Sequence, residues 1–155
     1  MLRFKKYTLL ALITALSATP VLAGTANFGQ LALSPGFKRA AGVSGGYTTG
    51  SFSLPAIANR DRNKNPCIGY AAPTPDHIIV LEKDFPQLTV KVDARGKDTT
   101  LVIKGPNDVI RCGDDTGNSK DASVTDSNWK AGQYSVWVGS IEPGEKWNYT
   151  LSVRE

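Results

Sequence analysis

Two adjacent carboxylates, Asp114 and Asp115, open an oxygen-rich run that continues through Thr116, Asn118, Ser119 and Asp121. Hard cations such as Ca²⁺ take about six to eight oxygen ligands from carboxylates, amides and backbone carbonyls on a flexible loop. This run offers those donor types within eight residues. Asp98 joins them if the strands carrying Asp98 and Asp114 lie side by side. The candidate ligands are therefore Asp98, Asp114, Asp115, Asn118 and Asp121, with Ca²⁺ as the expected ion. The loop is not an EF-hand, because Gly117 is off the sharp-turn position and no Glu stands eleven residues after Asp114. A plain solvated turn, which draws the same residue types, is the competing reading.

Nucleophilic chemistry has a weaker basis. Gly42-Val43-Ser44-Gly45-Gly46 fits G-x-S-x-G, a motif that works when a strand leads in and a helix follows. Neither is expected around Ser44. The single histidine, His77, stands at a strand start, where an exposed or edge position is expected. Its neighbour Asp76 would point to the opposite face of that strand and orient it poorly. A serine hydrolase built on Ser44 and His77 is thus a remote third reading. No catalytic residue is assigned.

Aromatic rings offer a second binding chemistry. Trp129, Tyr134, Trp137, Trp147 and Tyr149 fall within 21 residues, and amphipathic rings anchor ligands and stack on sugars. Strand parity puts Tyr134 with Val136 and Val138, and Trp137 on the opposite face. Tyr134, Trp147 and Tyr149 are expected in the core. Trp129 and Trp137 are the surface candidates, and a carbohydrate-binding module using them is the alternative reading.

Residues 1–23 carry the order of features that export requires. Arg3, Lys5 and Lys6 give a basic start, residues 9–16 a short apolar run, and Val21-Leu22-Ala23 a cleavage site before Gly24. The first cysteine is Cys67, so no lipidated N-terminal cysteine is expected. No later segment is apolar over the ~20 residues a membrane span needs. The expectation is a secreted or periplasmic protein without a membrane anchor. Its partner would be an extracellular or periplasmic protein, or a polysaccharide.

Export also changes the charge. Of 18 basic residues, three lie in the leader, leaving 15 against 14 acidic, a net of +1. That argues against a nucleic-acid partner. Removing 23 residues from 155 leaves 132, enough for one domain with its own core. In an oxidising compartment the lone pair Cys67 and Cys112 reads as a disulfide.

These sites must be carried by strands. Residues 24–50 are rich in Gly, Ala, Ser and Thr and poor in large apolar side chains. They read as a lead-in with little core contribution, ahead of a domain over 51–155. From Cys67 onward, short runs are bounded by Gly, Pro, Asp and Asn. Expected strands are residues 67–71, 76–82, 87–93, 99–104, 108–112, 133–139 and 146–153. Residues 87–93 (QLTVKVD) and 146–153 (KWNYTLSV) alternate cleanly. Gly105-Pro106-Asn107-Asp108 is a strong turn signal. Residues 59–66, with alternating charge, read as a solvated loop. Seven to eight short strands without helical periodicity predict an all-β, antiparallel sandwich of jelly-roll-like form. No crossover helices are expected for a parallel arrangement.

Residues 86–155 resemble the bacterial pre-peptidase C-terminal domain. The resemblance rests on Leu88-Thr-Val-Lys-Val92, Asp98-Thr-Thr-Leu-Val-Ile103, Ile110-Arg-Cys-Gly-Asp-Asp115, Ala131-Gly-Gln-Tyr-Ser-Val-Trp-Val138 and Tyr149-Thr-Leu-Ser-Val153, in family order. Gly113 departs from it, standing where such domains often carry an acidic residue. The resemblance implies a β-sandwich module, here standing alone without a protease, with a non-catalytic binding or accessory role.

Overall fold

The computed structural model describes residues 24–155; the export signal read in residues 1–23, with its cut after Ala23, lies outside the described residues. Among the described residues eleven strands form two sheets. In chain order they are β1 (Gln30–Leu33), β2 (Val43–Tyr47), β3 (Phe52–Ser53), β4 (Tyr70–Ala71), β5 (His77–Leu81), β6 (Phe85–Asp93), β7 (Thr99–Lys104), β8 (Ile110–Gly113), β9 (Ser123–Trp129), β10 (Gly132–Ser140) and β11 (Asn148–Arg154). Among the described residues no helix is long and apolar enough to cross a membrane.

The four-stranded sheet runs β2-β11-β6-β9 and is antiparallel throughout. Its central strands follow the alternation of their sequence. Leu88, Val90 and Val92 of β6 and Tyr149, Leu151 and Val153 of β11 are buried, while Lys91, Asp93, Asn148 and Thr150 are exposed. The seven-stranded sheet is organised on β10, which pairs with β5, β7 and β4. Tyr134, Val136 and Val138 of β10 meet the inner face of the other sheet in the main core.

A second, smaller core lies on the outer face of the seven-stranded sheet. Trp137, Val102 and Cys112 stand in register across β10, β7 and β8. Leu54, Cys67 and Ala71 cover that row. Both faces of β7 are therefore packed, and residues 99–103 are all buried.

The all-β sandwich expectation holds, with three corrections. Residues 24–50 are not a lead-in: they supply an edge strand to each sheet, and Leu33 is fully buried in the main core. β1 pairs β5 in parallel, with Leu31 opposite Ile79. The crossover between them is made by β2, which pairs into the other sheet, and by β3 and β4, so no helix is needed. Finally, β9 was not expected, because SVTDSNW carries only Val124 and Trp129 as large apolar residues.

Residues 59–66 also differ from a freely solvated loop. β8 pairs only with β7, which leaves its other edge open. Asp61 Oδ2 accepts the Cys112 N–H at 3.2 Å, and the Arg62 N–H donates to the Ile110 carbonyl at 3.2 Å. The loop thus satisfies groups that a bare edge would expose. Asp61 holds the loop in shape by accepting the N–H groups of Asn63 and Asn65 at 2.8 and 2.9 Å.

Candidate functional site

The acidic cluster forms where β7 begins and β8 ends. Leu101 stands opposite Gly113 in the antiparallel register, so the residues just before β7 lie beside those just after β8. Carboxylate oxygens of Asp98, Asp114 and Asp115 all lie within 4.8 Å of one another. The strand adjacency required for Asp98 to join the loop is present. Asp98 and Asp114 are half-buried and Asp115 is exposed.

The loop that follows is tightly made. The N–H groups of Thr116 and Ser119 each donate to the other residue's carbonyl, at 2.8 and 3.0 Å. Thr116 Oγ1 donates to the Asp121 carbonyl at 2.7 Å, and the Thr99 N–H donates to the Lys120 carbonyl at 3.1 Å. Lys120 Nζ donates to Asp98 Oδ2 at 2.9 Å, so one of the three carboxylates already has a cation beside it. Burial, followed by the charges of Asp115 and Asp98, pushes the Asp114 carboxyl above its ordinary range. The hydrogen bond and charge of Asp98 raise Lys120. Gly113 has a steric reason to carry no side chain, because a Cβ there would collide with the Ser123 carbonyl.

One expected ligand, Asp121, stands apart from the three carboxylates. Asp121 is buried and turned toward the β6–β7 turn. Its Oδ1 accepts the Ala94 N–H at 2.8 Å, and both oxygens accept the Gly96 N–H at 3.2 Å. Ser119 Oγ donates to Oδ2 at 3.1 Å. Asp121 therefore fixes a turn, with its lone pairs committed to the Ala94 and Gly96 N–H groups and the Ser119 hydroxyl. Asn118 is exposed in the 116–119 turn.

Both surface tryptophan candidates are buried. Trp129 is 1% exposed, packed on Tyr134 and under the Arg111 guanidinium at 4.0 Å. Trp137 is 8% exposed and donates its indole N–H to the Pro73 carbonyl at 3.2 Å. Parity did send Trp137 away from Tyr134, but the second core occupies that side. A sugar platform on Trp129 and Trp137 is not available in this fold. Trp147, expected in the core, is instead half-exposed.

The Ser44–His77 pairing is not assembled. No hydrogen bond joins Ser44, on β2, to His77, on β5: the Nε2 of His77 is taken by Tyr149, and its Nδ1 has no partner among the described residues. His77 is fully buried rather than at an exposed edge, with Nε2 2.9 Å from the Tyr149 hydroxyl. Burial pushes its imidazole down to about 4. Asp76 is buried too, and its carboxyl is pushed up to about 6 by burial. It accepts the Val138 N–H at 2.8 Å and an Asn27 amide N–H at 3.1 Å. These contacts close the end of the β5–β10 ladder and seat the chain at Asn27.

The two shifts oppose each other in pH. Folded Asp76 binds more protons than the unfolded chain between pH 3.8 and about 6, so its contribution falls as pH rises. Folded His77 binds fewer between about 4 and 6.5, so its contribution grows. Stability of the wild type should be nearly flat across pH 4–6. Asp76→Asn should unmask the His77 slope, a rise on the order of 2 kcal/mol from pH 4 to 6.5. Urea midpoints across that range give the measurement, and a flat D76N profile contradicts the assignment.

No family model matches the chain, and no curated protein matches it. Among solved structures it is similar to the pre-peptidase C-terminal domain of collagenase from Bacillus anthracis. The identity is 15% and the TM-score 0.47, over 81% of this chain and 94% of that one.

Proposed function

We propose that this chain works outside the cytoplasm as a non-catalytic accessory β-sandwich, stiffened by Ca²⁺ bound at Asp98, Asp114 and Asp115. The observation carrying this reading is the convergence of three carboxylates from two chain segments at one end of the β7–β8 pair. Oxygen-only donors suit hard cations, and Ca²⁺ tolerates irregular geometry better than Mg²⁺ does. A bound ion would offset the burial, and after it the charges of Asp115 and Asp98, that raise Asp114, and would take over the charge balance Lys120 now gives Asp98. It would tie the start of β7 to the loop between β8 and β9. The Cys67–Cys112 disulfide suits an oxidising compartment. The partner would be a protein or polysaccharide of that compartment.

Thermal unfolding tests the clamp. Ca²⁺ at about 100 times its Kd stabilises by ~2.7 kcal/mol, which should raise the melting temperature by about 5–10 °C for a domain of this size. Asp114→Asn should abolish the shift. Without Ca²⁺ the same variant should melt no lower than wild type, because it removes one of three crowded carboxylates. A melting temperature unmoved by millimolar Ca²⁺ overturns the reading.

A further inference from the structure

A second feature shares no residue with the acidic cluster. Pairing between β6 and β11 ends at Asp93 opposite Thr150. Beyond it the chain turns at Arg95 and Gly96, both at positive φ (57° and 78°), in the turn that Asp121 holds by its backbone N–H groups. On the other side, residues 146–150 run into β11. A cleft of about 520 Å³ lies between the two segments, within the size range of sites for small ligands.

Its chemistry is one-sided. Arg95, Lys97 and Lys146 line it, and none makes an ion pair with a described residue. The carboxylate among the lining residues is Asp93, which already accepts the Arg95 N–H at 3.1 Å. Lys97 Nζ stands 5.8 Å from the centroid of the half-exposed Trp147 ring, and Lys146 Nζ stands 4.5 Å from that of Tyr47. The Trp147 backbone is pinned: its N–H donates to Thr48 Oγ1 at 3.0 Å, and its carbonyl accepts the Thr48 N–H at 2.9 Å. Thr48 is itself fully buried. The ring is thus presented from a fixed support, while the cations lining the cleft have no carboxylate partner among the described residues.

We propose that this cleft binds an acidic carbohydrate, with a uronic-acid ring against Trp147 and its carboxylate among Lys97, Lys146 and Arg95. An indole face accepts the C–H face of a pyranose, and ammonium and guanidinium groups make charge-assisted hydrogen bonds to a carboxylate. Asn148 and Thr150, exposed on β11, supply an amide and a hydroxyl for sugar hydroxyls. A nucleic acid fits less well, because its binding calls for an extended basic stripe and residues 24–155 carry a net charge of +1.

Oligogalacturonate is the probe, titrated at low ionic strength against intrinsic fluorescence, once with chelator and once with Ca²⁺. A neutral cello-oligosaccharide and a short single-stranded DNA are the comparators. Saturable quenching by oligogalacturonate alone is the expected result. Lys97→Gln with Lys146→Gln should weaken binding about tenfold, equivalent to ~1.4 kcal/mol. Trp147→Phe should remove the fluorescence change. Both lysines are exposed, so the double variant keeps the test valid if Trp147 substitutions perturb folding. No saturable binding, equal binding of DNA, or unchanged affinity in the lysine variant overturns the proposal. Loss of the Ca²⁺ effect on melting would leave this result untouched.

Discussion

Replacing Arg111 by alanine should cost the protein about 3–5 kcal/mol, the range for breaking a buried ion pair from one side. Arg111 lies on β8 in register with Ile103 and Val136, so its side chain enters the space between the sheets. It is 1% exposed. Its guanidinium reaches β9 in the opposite sheet: Nε donates to Asp126 Oδ2 at 2.7 Å, and Nη2 donates to the carbonyls of Ser127 and Asn128 at 3.2 and 3.4 Å. Trp129 lies under the guanidinium at 4.0 Å and donates its indole N–H to the Asp126 carbonyl at 2.9 Å. Burial tends to raise the Asp126 carboxyl, but the Ser127 N–H and Arg111 outweigh it and hold the group below its ordinary range. Truncation leaves Asp126 without that donor and uncovers the Trp129 ring. Arg111→Lys should recover little, because an ammonium cannot reproduce the planar fork. A double-mutant cycle with Asp126→Ala, read from urea midpoints, should give a coupling above ~1 kcal/mol. An R111A variant within ~1 kcal/mol of wild type would show that the guanidinium does not tie the two sheets.

How much of this was legible in the sequence depended on what each strand touches. β6 and β11 have one face on the core and one in water, so their alternation announces them. β2 is an edge strand reading VSGGY, and its contribution is backbone pairing with β11. Gly46 leaves room for the Tyr149 ring, which a Cβ there would meet at 2.6 Å. Hydrophobic pattern cannot report a strand of that kind. β9 is polar for a related reason: Asp126 serves Arg111, and Thr125 faces Thr89 across the outer surface. The second core did leave a signal. Leu101-Val102-Ile103 is continuous rather than alternating, which marks a strand covered on both faces. That run implied a cover for Trp137.

The candidate site divides in the same way. Asp98 and Asp114 come near one another because a hairpin with its turn at residues 105–108 pairs Leu101 with Gly113, which puts Asp114 level with Thr100, two residues from Asp98, and that count can be made from sequence. The separation of Asp121 could not be read, since its partners are the backbone N–H groups of Ala94 and Gly96. Trp147 was assigned by parity to the Tyr149 face. It precedes the first residue of β11, where strand parity no longer governs.

Opening the Cys67–Cys112 bridge should be the other large loss. The cysteines lie 45 residues apart with Cα atoms at 5.2 Å, and cross-linking a loop of that length is worth about 4 kcal/mol on the chain-entropy model. The bridge also acts locally. It fastens the loop 59–66 to β8, whose open edge that loop covers through Asp61 and Arg62. It lies in the smaller core with Leu54, Ala71, Val102 and Trp137. The Cys67→Ala, Cys112→Ala variant should lose about 2–5 kcal/mol, and reduction of the wild type should lose nearly as much. Amide exchange separates the two contributions. If the bridge holds the loop, the Ile110–Gly113 strand and the residue 112 amide should lose protection beyond the global drop. β6 and β11, at the centre of the other sheet, should follow the global value. Protection lost uniformly would mean that the bridge acts on the unfolded chain alone. Asp61→Ala with the bridge intact should reproduce the local effect at the residue 112 amide. Its smaller global cost, ~1–3 kcal/mol, is that of leaving a buried donor unpaired.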